Sequence, residues 1–204
     1  MRTATVSGLV LGISLSIVSN TALAGGDQCR RDEAATRTRV VGAELSAFEP
    51  NHVSGADAGK TTCPMCRYGD KNGVLVWING DPSEGLSRLA LRLEQEMTAR
   101  AADGFRAFLI FTNPNREAGS AYAARLKRWA ESTRLSKVAV SWVARPDDPK
   151  TAGLYGIDPF ATNAITGIAY RNRRSAGRID KLPAGEAGAL ELVAMLGATK
   201  TAGR

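Results

Sequence analysis

The hydrophobic positions of this chain fall into short continuous runs separated by longer segments of mixed polarity. Continuous apolar runs of this length are typical of strands that are buried on both faces of a sheet. The sequence therefore predicts strands at 74–78, 105–111 and 138–143. A further apolar run at 166–171 is followed by a turn at 172–175 and a short segment at 177–180, which together predict a β-hairpin.

The segments between these runs have helical periodicity. After the first strand, Asp81 and Pro82 give a capping side chain and a proline for the first turn, and leucines then recur on one face to about Ala102. Further helices are predicted at 116–134, 150–155 and 184–196. Glycines and a proline interrupt the segment 40–72, so we expect extended chain and turns there rather than helix.

Strands that alternate with helices predict an α/β fold. We expect three layers: a mostly parallel central sheet, helices on both of its faces, and an antiparallel hairpin at the C-terminal edge. The domain is expected to span 40–197, followed by a C-terminal tail at 198–204. A domain of this size is long enough to bury a sizeable core.

The N-terminal segment has the features of a secretory signal peptide. Arg2 precedes an apolar run at 6–18, and Ala22-Leu23-Ala24 matches the small-x-small pattern of a cleavage site. The run is shorter than the roughly 20 apolar residues that a membrane-spanning helix needs. We therefore predict a signal peptide at 1–24, a flexible leader at 25–39, no membrane span, and a periplasmic or secreted mature protein.

The chain is basic, with 27 Lys and Arg against 20 Asp and Glu and a formal net charge of +7. Its basic residues are scattered beside acidic ones along the helices, as with Arg88 and Arg92 beside Glu94 and Glu96. A nucleic-acid-binding surface would instead gather them in a stripe with interleaved aromatic residues. We therefore expect no nucleic-acid partner.

Two short segments and the order of elements resemble a known fold. The stretch 41–48, Val-Gly-Ala-Glu-Leu-Ser-Ala-Phe, is similar to the glycine-to-phenylalanine entry segment of peroxiredoxin-like proteins. Leu154-Tyr155-Gly156-Ile157 resembles the step that precedes their hairpin. With the order βαβαβ followed by ββα, the chain resembles the peroxiredoxin-like (redoxin) branch of the thioredoxin-like fold over about residues 40–197.

The chain departs from this family where the family's redox chemistry lies. Redox members of the fold carry their reactive cysteine just after the first buried strand, where the helix dipole favours the thiolate. Here residues 79–84 read Asn-Gly-Asp-Pro-Ser-Glu and contain no cysteine. The proline that thioredoxins carry in cis before their penultimate strand is also missing from 162–166. We therefore do not expect peroxidase activity of the usual kind.

The candidate chemistry lies instead in Cys63-Pro64-Met65-Cys66, before the first buried strand. Two cysteines at this spacing can close a small disulfide and exchange it with protein thiols. Lys60 and Arg67 would stabilise a thiolate electrostatically. The first hypothesis is an exported thiol-disulfide oxidoreductase with Cys63 and Cys66 as its catalytic pair. Cys63 is expected to be the attacking thiol, by analogy with the usual order in such pairs.

The same cysteines could instead bind a metal ion. His52, the one histidine of the chain, precedes Cys63 by eleven residues. If the intervening chain turns back, His52, Cys63 and Cys66 form a donor set that suits Cu(I) or Zn(II), with Met65 or Cys29 as an extra soft ligand. The partner would then be a metal donor or acceptor protein. Covalent haem is not expected, because Arg67 stands where the haem motif needs a histidine.

A third hypothesis is a non-catalytic interaction domain in which a structural Cys63–Cys66 disulfide pins the loop. Because the chain has three cysteines, one thiol is left over when this pair closes. Cys29 is that thiol, and it could cross-link two copies of the chain into a dimer.

Overall fold

A computed structural model describes residues 40–197 of the chain. The predicted signal peptide, the leader with Cys29, and the tail at 198–204 lie outside the described residues. Within the described part, no helix combines the length and the apolar character needed to cross a membrane.

One mixed sheet forms the centre of the domain. Its strands are β1 (Asn51–His52), β2 (Asn72–Asn79), β3 (Arg106–Thr112), β4 (Ala139–Val143), β5 (Ala164–Arg171) and β6 (Arg174–Ile179). In the sheet they lie in the order β1-β4-β3-β2-β5-β6. β2, β3 and β4 are parallel, and the hairpin β5–β6 pairs antiparallel with β2, as expected. The two-residue edge strand β1, antiparallel to β4, was not predicted.

Four helices accompany the sheet: α1 (Pro64–Tyr68), α2 (Glu84–Ala99), α3 (Gly119–Ser132) and α4 (Glu186–Ala194). Short 3-10 turns lie at Ala101–Asp103 and at Ala152–Tyr155, where a short helical stretch was predicted. The expectation of no helix in 40–72 is wrong, because Pro64 starts α1 with its fixed backbone angle and Cys63 caps it. The cap of α2 is Ser83, whose hydroxyl accepts from the Leu86 N–H, and not Asp81.

The two faces of the sheet are covered in different ways. Alternate side chains of β2 point to opposite faces: Val74, Val76 and Ile78 join one core cluster, and Leu75 and Trp77 join the other. The buried faces of α2, α3 and α4 all belong to the first cluster. The second cluster is completed by apolar residues of the extended segment 45–48, of α1 and of the 3-10 turn at 152–155.

The α/β class is therefore confirmed, with three layers of unequal thickness. The layer on the second face consists of one short helix, one 3-10 turn and extended chain. The cysteine pair lies in this thinner layer.

Candidate functional site

Cys63 and Cys66 are joined by a disulfide, and their Cα atoms lie 5.2 Å apart. Cys63 is the N-cap residue of α1 with extended backbone, and Pro64 occupies the first helical position. The backbone N–H of Cys66 donates a hydrogen bond to Sγ of Cys63 at 3.0 Å. The helix start therefore fixes the two sulfurs at the spacing that a disulfide needs.

The two cysteines differ in exposure. Cys63 is only 8% exposed and belongs to the second core cluster, together with Leu45, Phe48 and Met65. Cys66, one helical turn later, is exposed. Both line a groove of about 390 Å³, whose other walls are Ala47, Phe48, Glu49, Lys150 and Thr151. The disulfide is thus open to solvent through Cys66 and anchored in the core through Cys63.

Aromatic side chains pack against Phe48, which lines the groove. The ring of Phe48 lies 5.0 Å from the rings of both Trp77 and Tyr155, and the latter two are 5.1 Å apart. The Tyr155 hydroxyl donates to the Ser46 carbonyl at 2.5 Å. Burial raises the pKa of Tyr155 well above its usual value, so the phenol stays protonated. These residues hold the extended segment 45–48 in place and offer no proton-transfer group.

A buried carboxylate ties the end of α1 to the preceding chain. Asp57, 3% exposed, accepts from the Arg67 guanidinium at 2.5 Å and from the Tyr68 hydroxyl at 2.9 Å. Burial and the hydrogen bond to Asp57 raise the pKa of Tyr68, so this hydroxyl remains a donor. Arg67, proposed from sequence as a thiolate partner, is therefore engaged with Asp57.

The turn of the β5–β6 hairpin fixes α1 from the other side. Asn172 and Arg173 both have positive φ, at 46° and 62°, as a tight hairpin turn requires. The Arg173 N–H donates to the Gly69 carbonyl at 2.6 Å, and its guanidinium donates to the Cys66 carbonyl at 3.3 Å. Arg171 directly precedes this turn and pairs with Asn72, the first residue of β2. Cys66, whose carbonyl is bonded to the turn, therefore lies near the beginning of β2.

The opposite end of β2 is occupied by structural hydrogen bonds. The Asn79 amide donates to the carbonyls of Asp158, Pro159 and Ala161 at 3.1 to 3.3 Å, and its oxygen accepts from the Thr112 hydroxyl at 2.8 Å. Residues 80–83 then lead directly into α2. In the resemblance, this stretch is the usual cysteine position. Here it is a short connection between β2 and α2, next to the hydrogen-bonded Asn79.

His52 lies in β1 and is 3% exposed, whereas the sequence suggested a loop. Its Nε2–H donates to the carbonyl of Thr62, the residue before Cys63, at 3.1 Å. Burial lowers the pKa of His52, although the Thr62 hydrogen bond and Asp57 act in the opposite direction. A neutral His52 therefore positions the residue that leads into the cysteine pair.

The three predicted metal ligands are not assembled in this oxidised form. Among residues 40–197, no group of three or more His, Cys, Asp or Glu side chains lies close enough together to hold a metal ion. The two sulfurs are bonded to each other, and the predicted extra ligand Met65 is 2% exposed in the core. The copper or zinc hypothesis stays a prediction.

Some residues that position α1 were missed at the sequence level. Asp57 lies in a glycine-rich stretch that carries no periodic signal, and Arg173 lies in the predicted hairpin turn at 172–175. Asp57 acts through a contact with Arg67, ten positions away. Arg173 acts through a contact with Cys66, more than a hundred positions away. Only the hairpin turn itself had a local signal that could have located Arg173.

The fold is similar to that of several solved redox proteins. The peroxidoxin BcpB from Mycobacterium tuberculosis matches with a TM-score of 0.60 at 14% identity, over 80% of this chain and 99% of that chain. A mutant of PrxQ from Xylella fastidiosa matches with a TM-score of 0.56 at 9% identity, over 78% and 96%. A chain described as a thiol:disulfide interchange protein, DsbE from Chlorobium tepidum, matches with a TM-score of 0.53 at 14% identity, over 78% and 96%.

No family model matches the sequence, and no curated protein matches it. At these identities the structural likeness defines the fold and nothing more. The chain has the thioredoxin-like fold, and its neighbours include peroxiredoxins, so the expected resemblance to that branch is confirmed at the level of fold.

Proposed function

We propose that this chain exchanges its Cys63–Cys66 disulfide with thiols of other proteins in a periplasmic or secreted setting. The observation that carries the proposal is the opening of this disulfide into a surface groove through Cys66. A disulfide can exchange only if an attacking thiolate reaches one of its sulfurs. The predicted signal peptide supports the setting, because disulfides persist in oxidising compartments.

The way α1 is held argues against a purely structural disulfide. Asp57 binds Arg67 and Tyr68, and the hairpin turn binds the carbonyls of Cys66 and Gly69. Met65 packs into the core from the same helix. Because these contacts hold α1 in addition to the disulfide, they support a disulfide that can open without loss of the helix position.

The fold neighbours support the same chemistry by analogy. One is described as a thiol:disulfide interchange protein, and another is named a peroxidoxin. Peroxidase activity is not proposed for this chain, because residues 79–84 contain no cysteine. Protein thiols are therefore the proposed partners.

A redox titration tests the proposal. Purified protein with Cys29→Ser, which removes the third thiol, is equilibrated in glutathione buffers of increasing reducing strength, and the fraction of Cys63–Cys66 disulfide is measured by alkylation. We expect a reversible two-electron transition within the range of glutathione buffers, abolished by Cys63→Ser. A disulfide that stays closed below about −300 mV would identify a structural bond and contradict the proposal.

Metal binding is tested in the same preparation. Reduced protein is incubated with Cu(I) or Zn(II), desalted and analysed for bound metal. If thiol exchange is the function of the pair, we expect no stoichiometric metal and no effect of His52→Ala, since no group of three or more His, Cys, Asp or Glu side chains among residues 40–197 lies close enough together to hold a metal ion. One retained ion per chain that is lost on His52→Ala would favour metal handling instead.

A further inference from the structure

We infer that Cys66 is the sulfur that forms the mixed disulfide with the substrate, and that Cys63 is the leaving group. This inference rests on the proposed function and adds the order of events within the pair. It reverses the order expected from the sequence by analogy.

Access to the two sulfurs is unequal. Cys63 belongs to the second core cluster, with Leu45, Phe48 and Met65, and is only 8% exposed, so little of it is open to an incoming thiolate. Cys66 lies on the surface of α1 at the rim of the groove. Thiol attack requires direct contact with the sulfur, and of the two cysteines that line the groove Cys66 is the exposed one, so the approach is easier at Cys66.

The hydrogen bonding of the pair favours the same order. The Cys66 N–H donates to Sγ of Cys63 at 3.0 Å. When the disulfide opens, this N–H is already aimed at the sulfur that receives the electron pair, and it stabilises a thiolate on Cys63. A stabilised thiolate is the better leaving group, and here it is the buried sulfur.

The exchange balances in two steps. A substrate thiolate attacks Sγ of Cys66, so the substrate–Cys66 bond forms, the Cys63–Cys66 bond breaks, and Cys63 departs with the electron pair as a thiolate. A second substrate thiolate then attacks the substrate sulfur of the mixed disulfide and releases Cys66 as a thiolate. The substrate gains a disulfide, and the protein disulfide is reduced by two electrons. The reverse reaction uses Cys66 as the nucleophile and Cys63 as the resolving thiol.

Peptide mapping identifies the attacked sulfur directly. Oxidised protein with Cys29→Ser is mixed with reduced glutathione, quenched in acid after short times, alkylated and digested with trypsin. Because Lys60 and Arg67 flank the pair, one peptide, 61–67, carries both cysteines. Fragmentation before Pro64 separates them and shows which one carries glutathione.

We expect glutathione on Cys66 and the alkyl group on Cys63, in about tenfold excess or more over the opposite arrangement. Equal labelling, or glutathione mainly on Cys63, would overturn this inference and leave the proposed function intact. An absence of both mixed disulfide and reduction would overturn the proposed function, and this inference with it.

Single-cysteine variants give a second measurement that is free of rearrangement within the pair. In the Cys29→Ser background, Cys63→Ser leaves Cys66 as the only thiol, and Cys66→Ser leaves only Cys63. Serine at 63 keeps a helix-capping side chain, so α1 should form in both variants. We expect the variant that retains Cys66 to react with glutathione disulfide at least about tenfold faster, because Cys66 is exposed and Cys63 is only 8% exposed, and the opposite ranking would overturn the inference.

Discussion

Asp57 ties the disulfide helix to the chain that precedes it. Its buried carboxylate accepts from Arg67, directly after Cys66, and from Tyr68 at the end of α1. A buried carboxylate is tolerated only when its oxygens are paired, and both oxygens of Asp57 are. A five-residue helix is too short to be stable alone. The hydrogen bonds to Asp57 therefore help to stabilise α1 in its position.

We expect Asp57→Ala to lower the free energy of unfolding by about 2 kcal/mol, because the Tyr68 hydroxyl loses its acceptor and the half-exposed Arg67 its partner. Urea unfolding measures this change. Asp70→Asn is the matched control, since Asp70 is exposed and pairs with exposed Lys71. Equal stability of the two variants would contradict the anchoring role of Asp57.

From the sequence, the disulfide pair could be located, but the residues that hold it in position could not. Cys63 and Cys66 could be singled out because two cysteines at this spacing form a disulfide. His52 could not be placed, because its burial depends on the pairing of β1 with β4, whose residues are about ninety positions away. Asp57 had no pattern at all.

Among the elements, α2 is joined to the start of β4 by one carboxylate. Glu94 accepts from the backbone N–H groups of Ser136, Lys137 and Val138 at 2.8 to 3.1 Å. Burial raises the pKa of Glu94, but these hydrogen bonds and that of the Ser136 hydroxyl outweigh it, so the pKa lies below the ordinary 4.5. The ionised form is thus stabilised by folding.

Because the unfolded chain takes up this proton at a higher pH than the folded protein, the contribution of Glu94 is present above about pH 4.5 and is lost as the pH falls further. We expect Glu94→Gln to lower the free energy of unfolding by about 1 kcal/mol at neutral pH, a value reduced for partial exposure. The loss should become progressively smaller at acid pH. Denaturant unfolding across this range measures it. Glu191→Gln, at an exposed site on α4, is the control, and a pH-independent effect of Glu94→Gln would contradict the account.

The elements with strong periodic signals were predicted well, and their ends were not. The apolar run at 74–78 identified β2, and leucine spacing identified α2. The cap was misassigned because both Asp81 and Ser83 can cap a helix, and only the hydrogen bond to the Leu86 N–H distinguishes them. α1 was missed because five residues cannot show helical periodicity.

For the whole molecule, the important feature is the unequal covering of the sheet. Three long helices bury one face, and α1, the turn at 152–155 and extended chain cover the other. The sequence predicted the α/β class and the order of strands in the chain. It could not show that α2, α3 and α4 share one face, because that depends on the direction in which the chain crosses between strands.

The stability of the reduced protein follows from this arrangement. The disulfide closes a loop of only a few residues. From the chain entropy of such a loop, we expect its loss to lower the free energy of unfolding by about 2 kcal/mol. The helix-covered core does not contain the pair. We therefore expect reduced protein to keep its near-ultraviolet circular dichroism and to unfold at moderately lower urea concentration. The double variant Cys63→Ser, Cys66→Ser should not respond to reductant, and loss of the fold on reduction of the wild type would favour a structural disulfide.

Exchange of the Cys63–Cys66 disulfide with thiols of other molecules would transfer the disulfide to a substrate dithiol. The most direct test is to mix oxidised Cys29→Ser protein with an equimolar reduced dithiol peptide and to follow both partners by mass spectrometry. We expect one peptide disulfide to appear for each protein disulfide lost, and none to appear with the double serine variant. A peptide that stays reduced while the protein remains oxidised would contradict the proposed exchange.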